Sequence, residues 1–483
     1  VVEFYTSVLK RGNKIFYRGY DKGLRVKECV EYEPYLFVPS PTGEYRSLDG
    51  RKFGKMNFSS IKDAKAFVDK YKDVDNFEIY GLDNFQYLYI YDKFPDLIEH
   101  DFSMIRTITL DLECKFDSGF PSIVRADQEI TAVTLRFRGK SMVFGCEEYL
   151  GTDPSIEYVK CHDEIELLQM VVRCWESISP DIVTGWNIEF FDIPYLINRI
   201  RAVIGESWTL RLSPWKILDI NEVAFHNKTN HSYVIVGVSV LDYYQLYRKF
   251  KFGNSESYKL DYISKVELNE QKLDYSEYGN LMDIYRADFT KYIDYNVRDC
   301  ILVEKLEEKL KFLEQVVAYA YLAKVNYIDT LTTLRPSDMI IHSHLMNQGI
   351  VIPPVKKSTM FDSLMGGYVK EPKIGESRWV VSLDLDSLYP HLIMEYNISP
   401  EMFSTRYHNF PKIDELLTGE DPLSEYDRKS FSFAANGCAY RKDKSGFLPE
   451  IMQKLYDGRV KYKKLMLNAK KELAVVNAEL VKL

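Results

Sequence analysis

Two acids one residue apart, Asp111 and Glu113, flank Leu112 after an apolar lead of Ile105, Ile108 and Leu110. Residues i and i+2 of a strand point to the same face, so this pair would present two carboxylates side by side. A solvated strand edge explains an isolated pair equally well. Two further segments carry compatible chemistry. Asn187-Ile188-Glu189-Phe190-Phe191-Asp192 follows Thr184-Gly185-Trp186, although Asp192 alone also reads as the cap of a helix starting near Pro194. Tyr295 and Asp299 stand four apart in a helical pattern. That spacing puts phenol and carboxylate on one face, where an ordinary helix surface is the plain alternative. Gathered at one point, Asp111, Glu113, Asp192 and Asp299 would repel one another unless divalent cations neutralised them. Hard oxygen donors suit Mg²⁺ or Mn²⁺. Two such ions, about 3.5–4 Å apart, lower the pKa of a water, aim it at phosphorus and stabilise the leaving oxygen, with Tyr295 orienting the water. The three segments together are far more specific than any one.

A fourth segment, Asp384-Leu385-Asp386-Ser387-Leu388-Tyr389-Pro390, follows the apolar run Trp379-Val380-Val381-Ser382-Leu383 and leads into His391-Leu392-Ile393-Met394. A strand, a tight turn and a helix N-terminus make a site for a polyphosphate, because free amides and the helix dipole favour anions. A strand-end carboxylate can hold Mg²⁺ against the same phosphates; a ligand-free cap is the alternative. Farther on, Arg459 and Lys463 lie four apart with Lys454, Lys461 and Lys464 nearby. They could clamp an anion, Arg as a fork and Lys as a point charge, or simply line a solvated face.

The elements that must position these residues follow from pattern. Up to about residue 107, short strands alternate with turns: 14–18, 35–38 and 87–91 read as strands, and a helix follows Ser60 and Asp63. From about 104, strands alternate with helices. Residues 163–176 and 195–203 have helical patterns, Ile182-Val183 is a buried strand, and the polar residues 226–232 before Tyr233 predict a hairpin. Residues 290–323 read as one long helix. Pro353-Pro354, Gly366-Gly367 and Pro372 mark a domain junction. Residues 379–383 read as a strand, a helix opens at Pro390, and the last helix opens at Pro449. At ~1.5 Å per residue that last helix would reach about 50 Å. Its apolar Leu465, Leu467, Leu473, Val476 and Leu480 call for a covering partner.

With 483 residues the chain is long enough for two to four domains. Its 46% hydrophobic and 28% charged composition is that of a globular protein. No apolar run approaches the ~18 residues of a membrane span. The start, Val1-Val2-Glu3-Phe4-Tyr5, has no secretory pattern, so an intracellular protein is expected. Seven scattered cysteines without a CxxC point to reduced thiols rather than a disulfide framework or zinc knuckle. His342-Ser343-His344 lacks further ligands at metal spacing and reads as structure. Net charge is −8, yet from Arg441 onward eleven Lys/Arg face five Asp/Glu, a basic arm on an acidic protein.

The first three segments resemble the Exo I, II and III motifs of DEDD-type proofreading nucleases, in the tyrosine-containing subclass. The Asp384-Leu385-Asp386-Ser387-Leu388-Tyr389-Pro390 stretch resembles motif A of family B DNA polymerases. Gly366-Gly367-Tyr368-Val369 is similar to that family's linker between exonuclease and palm. Residues 183–198, 239–250, 260–264 and 397–401 look like the polymerases of T-even-like bacteriophages. The likeness covers essentially the whole chain, but only about the first half of such a polymerase.

The resemblance implies a multidomain α/β protein: a β-rich N-terminal domain, an RNase H-like 3′→5′ exonuclease domain, a partial palm and the first helix of the fingers. It divides the chain into 1–103 and 313–355 (N-terminal domain), 104–312 (exonuclease), 356–445 (partial palm with motif A) and 446–483 (first fingers helix). It implies Asp111, Glu113, Asp192 and Asp299 as metal-site carboxylates with Tyr295, and Asn187 and Phe191 as DNA contacts. It implies Asp384 as a catalytic metal ligand, with the Leu385 carbonyl beside it. Ser387 and Leu388 would contact the triphosphate and Tyr389 would be the gate against ribose, while Arg459 and Lys463 resemble the fingers residues that clamp the nucleotide. Asp386 falls at a variable position.

Each active site would use two Mg²⁺ or Mn²⁺ ions. Expected partners are primer-template and single-stranded DNA, a deoxynucleoside triphosphate, a second polymerase chain with the rest of palm, fingers and thumb, and through that chain a sliding clamp, but no membrane. The expected setting is the cytoplasm of a bacterial host. After Pro390 no K-x-x-x-N-S-x-Y-G segment and no Asp-Thr-Asp-Ser strand follow, so primer extension by this chain alone is not expected. The alternative reading is a non-catalytic nucleic-acid-binding or scaffold protein derived from a polymerase.

Overall fold

The computed structural model describes residues 2–72, 74, 77–116, 119, 121–225, 228–274, 276–353, 371, 373–411, 415–416 and 423–480. In chain order the first elements are β1 (Glu3–Arg11), β2 (Lys14–Asp21), β3 (Leu24–Glu31), β4 (Tyr35–Pro39), β5 (Tyr45–Arg46), β6 (Lys52–Asn57), α1 (Ile61–Tyr71) and α2 (Phe85–Lys93). Next come β7 (Thr107–Cys114), β8 (Ile130–Phe137), β9 (Lys140–Gly145), β10 (Ile156–Lys160), α3 (Glu164–Ile178), β11 (Ile182–Thr184), α4 (Asp192–Val203) and α5 (Glu206–Thr209). They are followed by β12 (Leu218–Phe225), β13 (Lys228–Ile235), β14 (Ser239–Val240), α6 (Tyr243–Phe250), α7 (Leu260–Leu268), α8 (Leu281–Ala287), α9 (Phe289–Leu310), α10 (Phe312–Ala323) and α11 (Leu334–Met346). The last are α12 (Leu388–Glu395), β15 (Phe403–Arg406), β16 (Phe431–Phe433), β17 (Cys438–Arg441) and α13 (Phe447–Leu480). Two compact units result. One comprises Val1–Pro34, Asn57–Phe67 and Asp83–Ile340; the other comprises Tyr35–Met56, Val68–Leu82 and Ile341–Leu483.

In the first unit β1, β2 and β3 form an antiparallel sheet, and a six-stranded sheet runs β10-β9-β8-β7-β11-β14. β7, β8 and β9 are antiparallel neighbours, while β11 lies parallel to β7 on its other side. Arg138-Gly139 closes the β8–β9 hairpin with both residues at positive φ, 50° and 77°, the twist a two-residue turn requires. Period-2 alternation then assigns the faces. Leu110 and Leu112 of β7 and Val133 and Leu135 of β8 pack into one core with Leu168, Val171 and Trp175 of α3 and Leu196 and Ile197 of α4. Ala132 of β8 and Val143 of β9 turn the other way, onto Tyr292, Ile293 and Val297 of α9. Each fully buried leucine contributes about 1.5–3 kcal/mol. Asp111 and Glu113, interleaved with those leucines, therefore face α9.

The second unit holds a β4-β6-β5 sheet, a β15-β17-β16 sheet, and α12 packed against α13. α13 is 34 residues long. No helix among the described residues is long and apolar enough to cross a membrane.

Four expectations need correction. Residues 87–91 form part of α2, not a strand: Tyr87, Leu88, Tyr89 and Ile90 are all buried, and a short, wholly apolar run carries no period to separate helix from strand. The single helix over 290–323 is two helices, broken at Lys311 with φ 59°. The break is sustained by the Glu307 carboxylate, which accepts from the Leu313 amide (3.0 Å) and the Glu314 amide (3.3 Å) of the next helix. Residues 379–383 form no strand. Trp379 and Leu383 are more than nine-tenths exposed, and among the described residues no strand runs alongside to take up their backbone groups. Finally, the helices expected at Pro390 and Pro449 open at Leu388 and Phe447, two residues earlier, which leaves each proline in the first turn where it is tolerated. The linker-like Gly366-Gly367-Tyr368-Val369 and residues 226–227 of the expected hairpin lie outside the described residues.

Candidate active site

Asp111 and Glu113 pair with Thr134 and Ala132 across the β7–β8 ladder. Gly185 lets the end of β11 close in beside them, for a Cβ there would meet the Leu110 carbonyl oxygen at 2.4 Å. Past that close approach the chain bends through Asn187, at φ 68°, and enters α4 with Asp192 as its first residue. The Leu112 amide, between the two acids of β7, donates to Asp192 Oδ1 at 3.2 Å. From α9, buried Asn296 spans the gap: its Nδ2 donates to Asp111 Oδ2 at 2.6 Å, and its Oδ1 accepts from the Thr134 hydroxyl. One turn apart on the same helix, Tyr295 and Asp299 are both buried. Asp299 and Tyr295 meet Lys272, whose Nζ donates to Asp299 Oδ2 and, at 3.1 Å, to the Tyr295 hydroxyl.

These groups act on one another electrostatically. Burial, then Asp299, Asp192 and Glu113, hold Asp111 well above the usual carboxylate range. Glu113 is pushed up to about 8 by burial and Asp299, and Asp192 to about 7 chiefly by burial. Asp299 is raised by burial against the opposing pull of Lys272. Burial pulls the Lys272 pKa down, yet Asp299, Tyr295 and Asp111 outweigh it and keep the ammonium charged. Burial and Asp299 keep the Tyr295 phenol protonated. This is a cluster of acids short of positive charge, which burial and mutual repulsion drive toward the protonated form.

Among the described residues no three His, Cys, Asp or Glu side chains stand ready to hold a metal ion. The donor set nonetheless fits a hard divalent cation: it is all oxygen, and the buried Asp299 Oδ1 has no hydrogen-bond partner among the described residues.

Sequence reasoning missed Lys272, Asn296 and Asp242. Lys272 sits in an aperiodic loop after α7, pinned where its amide donates to Asp261 Oδ1 at 2.9 Å. Asn296 lies inside the Tyr-x-x-x-Asp run, where a buried polar residue turned toward the sheet was the available signal. Of the expected DNA contacts, Asn187 is exposed on its loop, and Phe191 stacks on Tyr195 with centroids 5.7 Å apart.

The second unit carries the remaining candidates. Asp384, Leu385, Leu388 and Tyr389 are exposed, and Ser387 holds φ 53° at the start of α12. Arg459 of α13 reaches Asp386 Oδ1 at 3.3 Å and also donates to the Ser387 hydroxyl. Lys463, one turn on, is exposed.

Comparison with known proteins supplies the family. The family B DNA polymerase exonuclease domain matches residues 61–263, and the DNA polymerase family B model matches residues 333–479. The DNA-directed DNA polymerase of Escherichia phage RB69 is 31% identical over 99% of this chain. The chain belongs to the family B DNA polymerases. The DNA-directed DNA polymerase of Enterobacteria phage T4 is 30% identical, also over 99% of the chain. The DNA polymerase delta catalytic subunit of Plasmodium falciparum is 26% identical over 78% of it. The chain spans 55% of the length of each of the two phage polymerases. Among family B polymerases, then, its likeness runs through the exonuclease domain and into the polymerase domain.

Proposed function

We propose that this chain supplies the 3′→5′ proofreading exonuclease of a DNA-directed DNA polymerase, centred on residues 104–312, together with half of its nucleotidyl-transfer site. What supports this is that Asp192 accepts from the Leu112 amide between Asp111 and Glu113, while Asn296 of α9 donates to Asp111 and Lys272 donates to Asp299 of the same helix. Mg²⁺ or Mn²⁺, two per site, would lower the pKa of a water and stabilise the leaving 3′ oxygen. The four carboxylates would hold them. Asn296 and the Leu112 amide each fix one oxygen of Asp111 and Asp192, so these acids are oriented before any ligand arrives. Tyr295 accepts from Lys272 and keeps its own proton, so its hydroxyl can donate to the water and aim it. Asn187 and Phe191 would meet the DNA 3′ end.

In the second unit Asp384 and the Leu385 carbonyl would hold metal at the nucleotidyl-transfer site. Ser387, Leu388, Arg459 and Lys463 would receive the triphosphate, and Tyr389 would gate the sugar. The other carboxylate, the remaining palm and fingers, a thumb and the clamp contact would come from polymerase segments other than the residues spanned here. The exposed Trp379, Val380, Val381 and Leu383, and separately Leu465, Leu473 and Leu480 of α13, support such a covering surface, since exposed apolar patches mark interaction sites. The setting would be the cytoplasm of a bacterial host.

The test is a 5′-labelled single-stranded oligonucleotide incubated with the chain and Mg²⁺. Shortening from the 3′ end that Asp111→Ala abolishes is expected. Binding without cleavage in Mg²⁺ or Mn²⁺ would instead favour a non-catalytic DNA-binding protein.

A further inference from the structure

Asp242 is fully buried, and its carboxylate does more than cap a helix. Oδ1 accepts from the Tyr244 amide at 3.0 Å, an ordinary N-cap bond for α6, and also from the Asn187 amide at 2.9 Å. Oδ2 accepts from the Glu189 amide at 3.1 Å. Capping α6 needs one oxygen, and serine or asparagine would supply it without burying an acid. Two of the three bonds therefore serve the loop that precedes α4.

The Ile188 side chain, fully buried in the core, holds the middle of that loop, and the Asp242 carboxylate holds the amides on either side of it. Asn187 sits at φ 68°, a conformation with a cost for any residue but glycine. Ile188, between the two tethered amides, accepts from the Ile193 amide at 2.9 Å, which locks the loop to the first turn of α4. Asp192 is the residue just before Ile193. Bonds thus run from Asp242 through the Asn187 and Glu189 amides and the Ile188 carbonyl to the turn that carries Asp192. The Glu189 carboxylate extends the same network, accepting from the Ser232 hydroxyl at 3.0 Å and from Gln245 Nε2.

We propose that Asp242 is a positioning residue of the exonuclease, shaping the 187–189 loop so that Asp192 is delivered to the metal-holding cluster. The proposal rests on the exonuclease reading above. Groups that orient metal ligands through hydrogen bonds commonly change metal affinity or activity about 10–100-fold when removed. Asp242→Ala leaves both loop amides without their acceptor; Asp242→Asn retains one acceptor oxygen.

The experiment uses the full chain and measures three quantities: Mn²⁺ affinity by titration, the Mg²⁺ concentration giving half-maximal cleavage of single-stranded DNA, and the thermal midpoint. At a temperature where each variant is folded, Asp242→Ala should weaken Mn²⁺ binding and raise the half-maximal Mg²⁺ about tenfold or more. Asp242→Asn should fall between Ala and wild type. Wild-type metal dependence in folded Asp242→Ala would overturn the proposal, as would an activity loss that only tracks the unfolded fraction. If Asp242→Ala does not fold, Asp242→Asn decides: a shift of about threefold supports the proposal and no shift overturns it. Should wild type cleave nothing, the exonuclease reading fails, while Mn²⁺ affinity still tests whether Asp242 sets Asp192.

Discussion

Asp111 and Asp384 both follow apolar runs, but their settings differ. Asp111 lies in the interior of a six-stranded sheet, with its neighbours packed against α3 and α4 on one face and α9 on the other. Its carboxylate is gripped by Asn296. Asp384 follows a run of similar hydrophobicity that forms no strand and lies exposed. The acids are the same; the company differs. A sheet interior fixes a carboxylate's direction and, through burial and neighbouring acids, raises its proton affinity. The contrast lies in the setting: the first unit holds its acid among fixed partners, and the second leaves its acid exposed.

The sharpest way to break this contrast is to remove one acid from each region. Asp111→Ala or Asp299→Ala should lower 3′-end degradation of labelled single-stranded DNA by at least ~10³-fold, or ~4 kcal/mol of transition-state stabilisation. Asp384→Ala should leave that rate within about twofold. Equal effects from the two regions would erase the distinction.

Next in size is the effect of pH without metal. Asp192 and Glu113 are pushed up to about 7 and about 8, whereas in the unfolded chain carboxylates titrate near 4. Between about pH 4 and pH 8 the unfolded chain therefore sheds protons that the folded cluster keeps. The cluster's contribution to stability falls as pH rises through that window. Bound Mg²⁺ reverses the penalty, so thermal scans should show it raising the midpoint by about 5 °C or more at pH 8 and less than half that at pH 5.5. A shift independent of pH would count against coupled carboxylates.

Lys272→Ala should lower the thermal midpoint of the metal-free protein at pH 8 by a few degrees. That corresponds to about 1–2 kcal/mol after discounting for the quarter-exposed lysine. It should also tighten Mn²⁺ binding, because a cation then no longer competes with the ammonium for Asp299. The smallest effect belongs to the second unit. Arg459→Ala should change stability by less than about 0.5 kcal/mol, since both partners in the Arg459–Asp386 pair are more than half exposed.

The acids of the first unit were legible because strand and helix periods fix which side chains share a face: the alternation of Leu110, Asp111, Leu112 and Glu113 foretold two acids opposite a core. Lys272 and Asp242 were not legible, since a lysine in a loop and an aspartate before a helix look alike whether they serve a site or solvent. The break at Lys311 was hidden for a related reason. The group that sustains it is the Glu307 side chain, and no glycine or proline marks the spot. Residues 379–383 misled in the opposite sense: their composition is that of a buried strand, but a strand exists only beside another.

The claim on which the account turns is that acids distant in sequence share one cation-holding cleft. Titrating the chain with Mn²⁺ and recording electron paramagnetic resonance tests it directly. Two ions about 3.5–4 Å apart should give a spin-coupled spectrum that Asp111→Ala destroys. Uncoupled binding, or a spectrum indifferent to Asp111, Asp192 and Asp299, would contradict it.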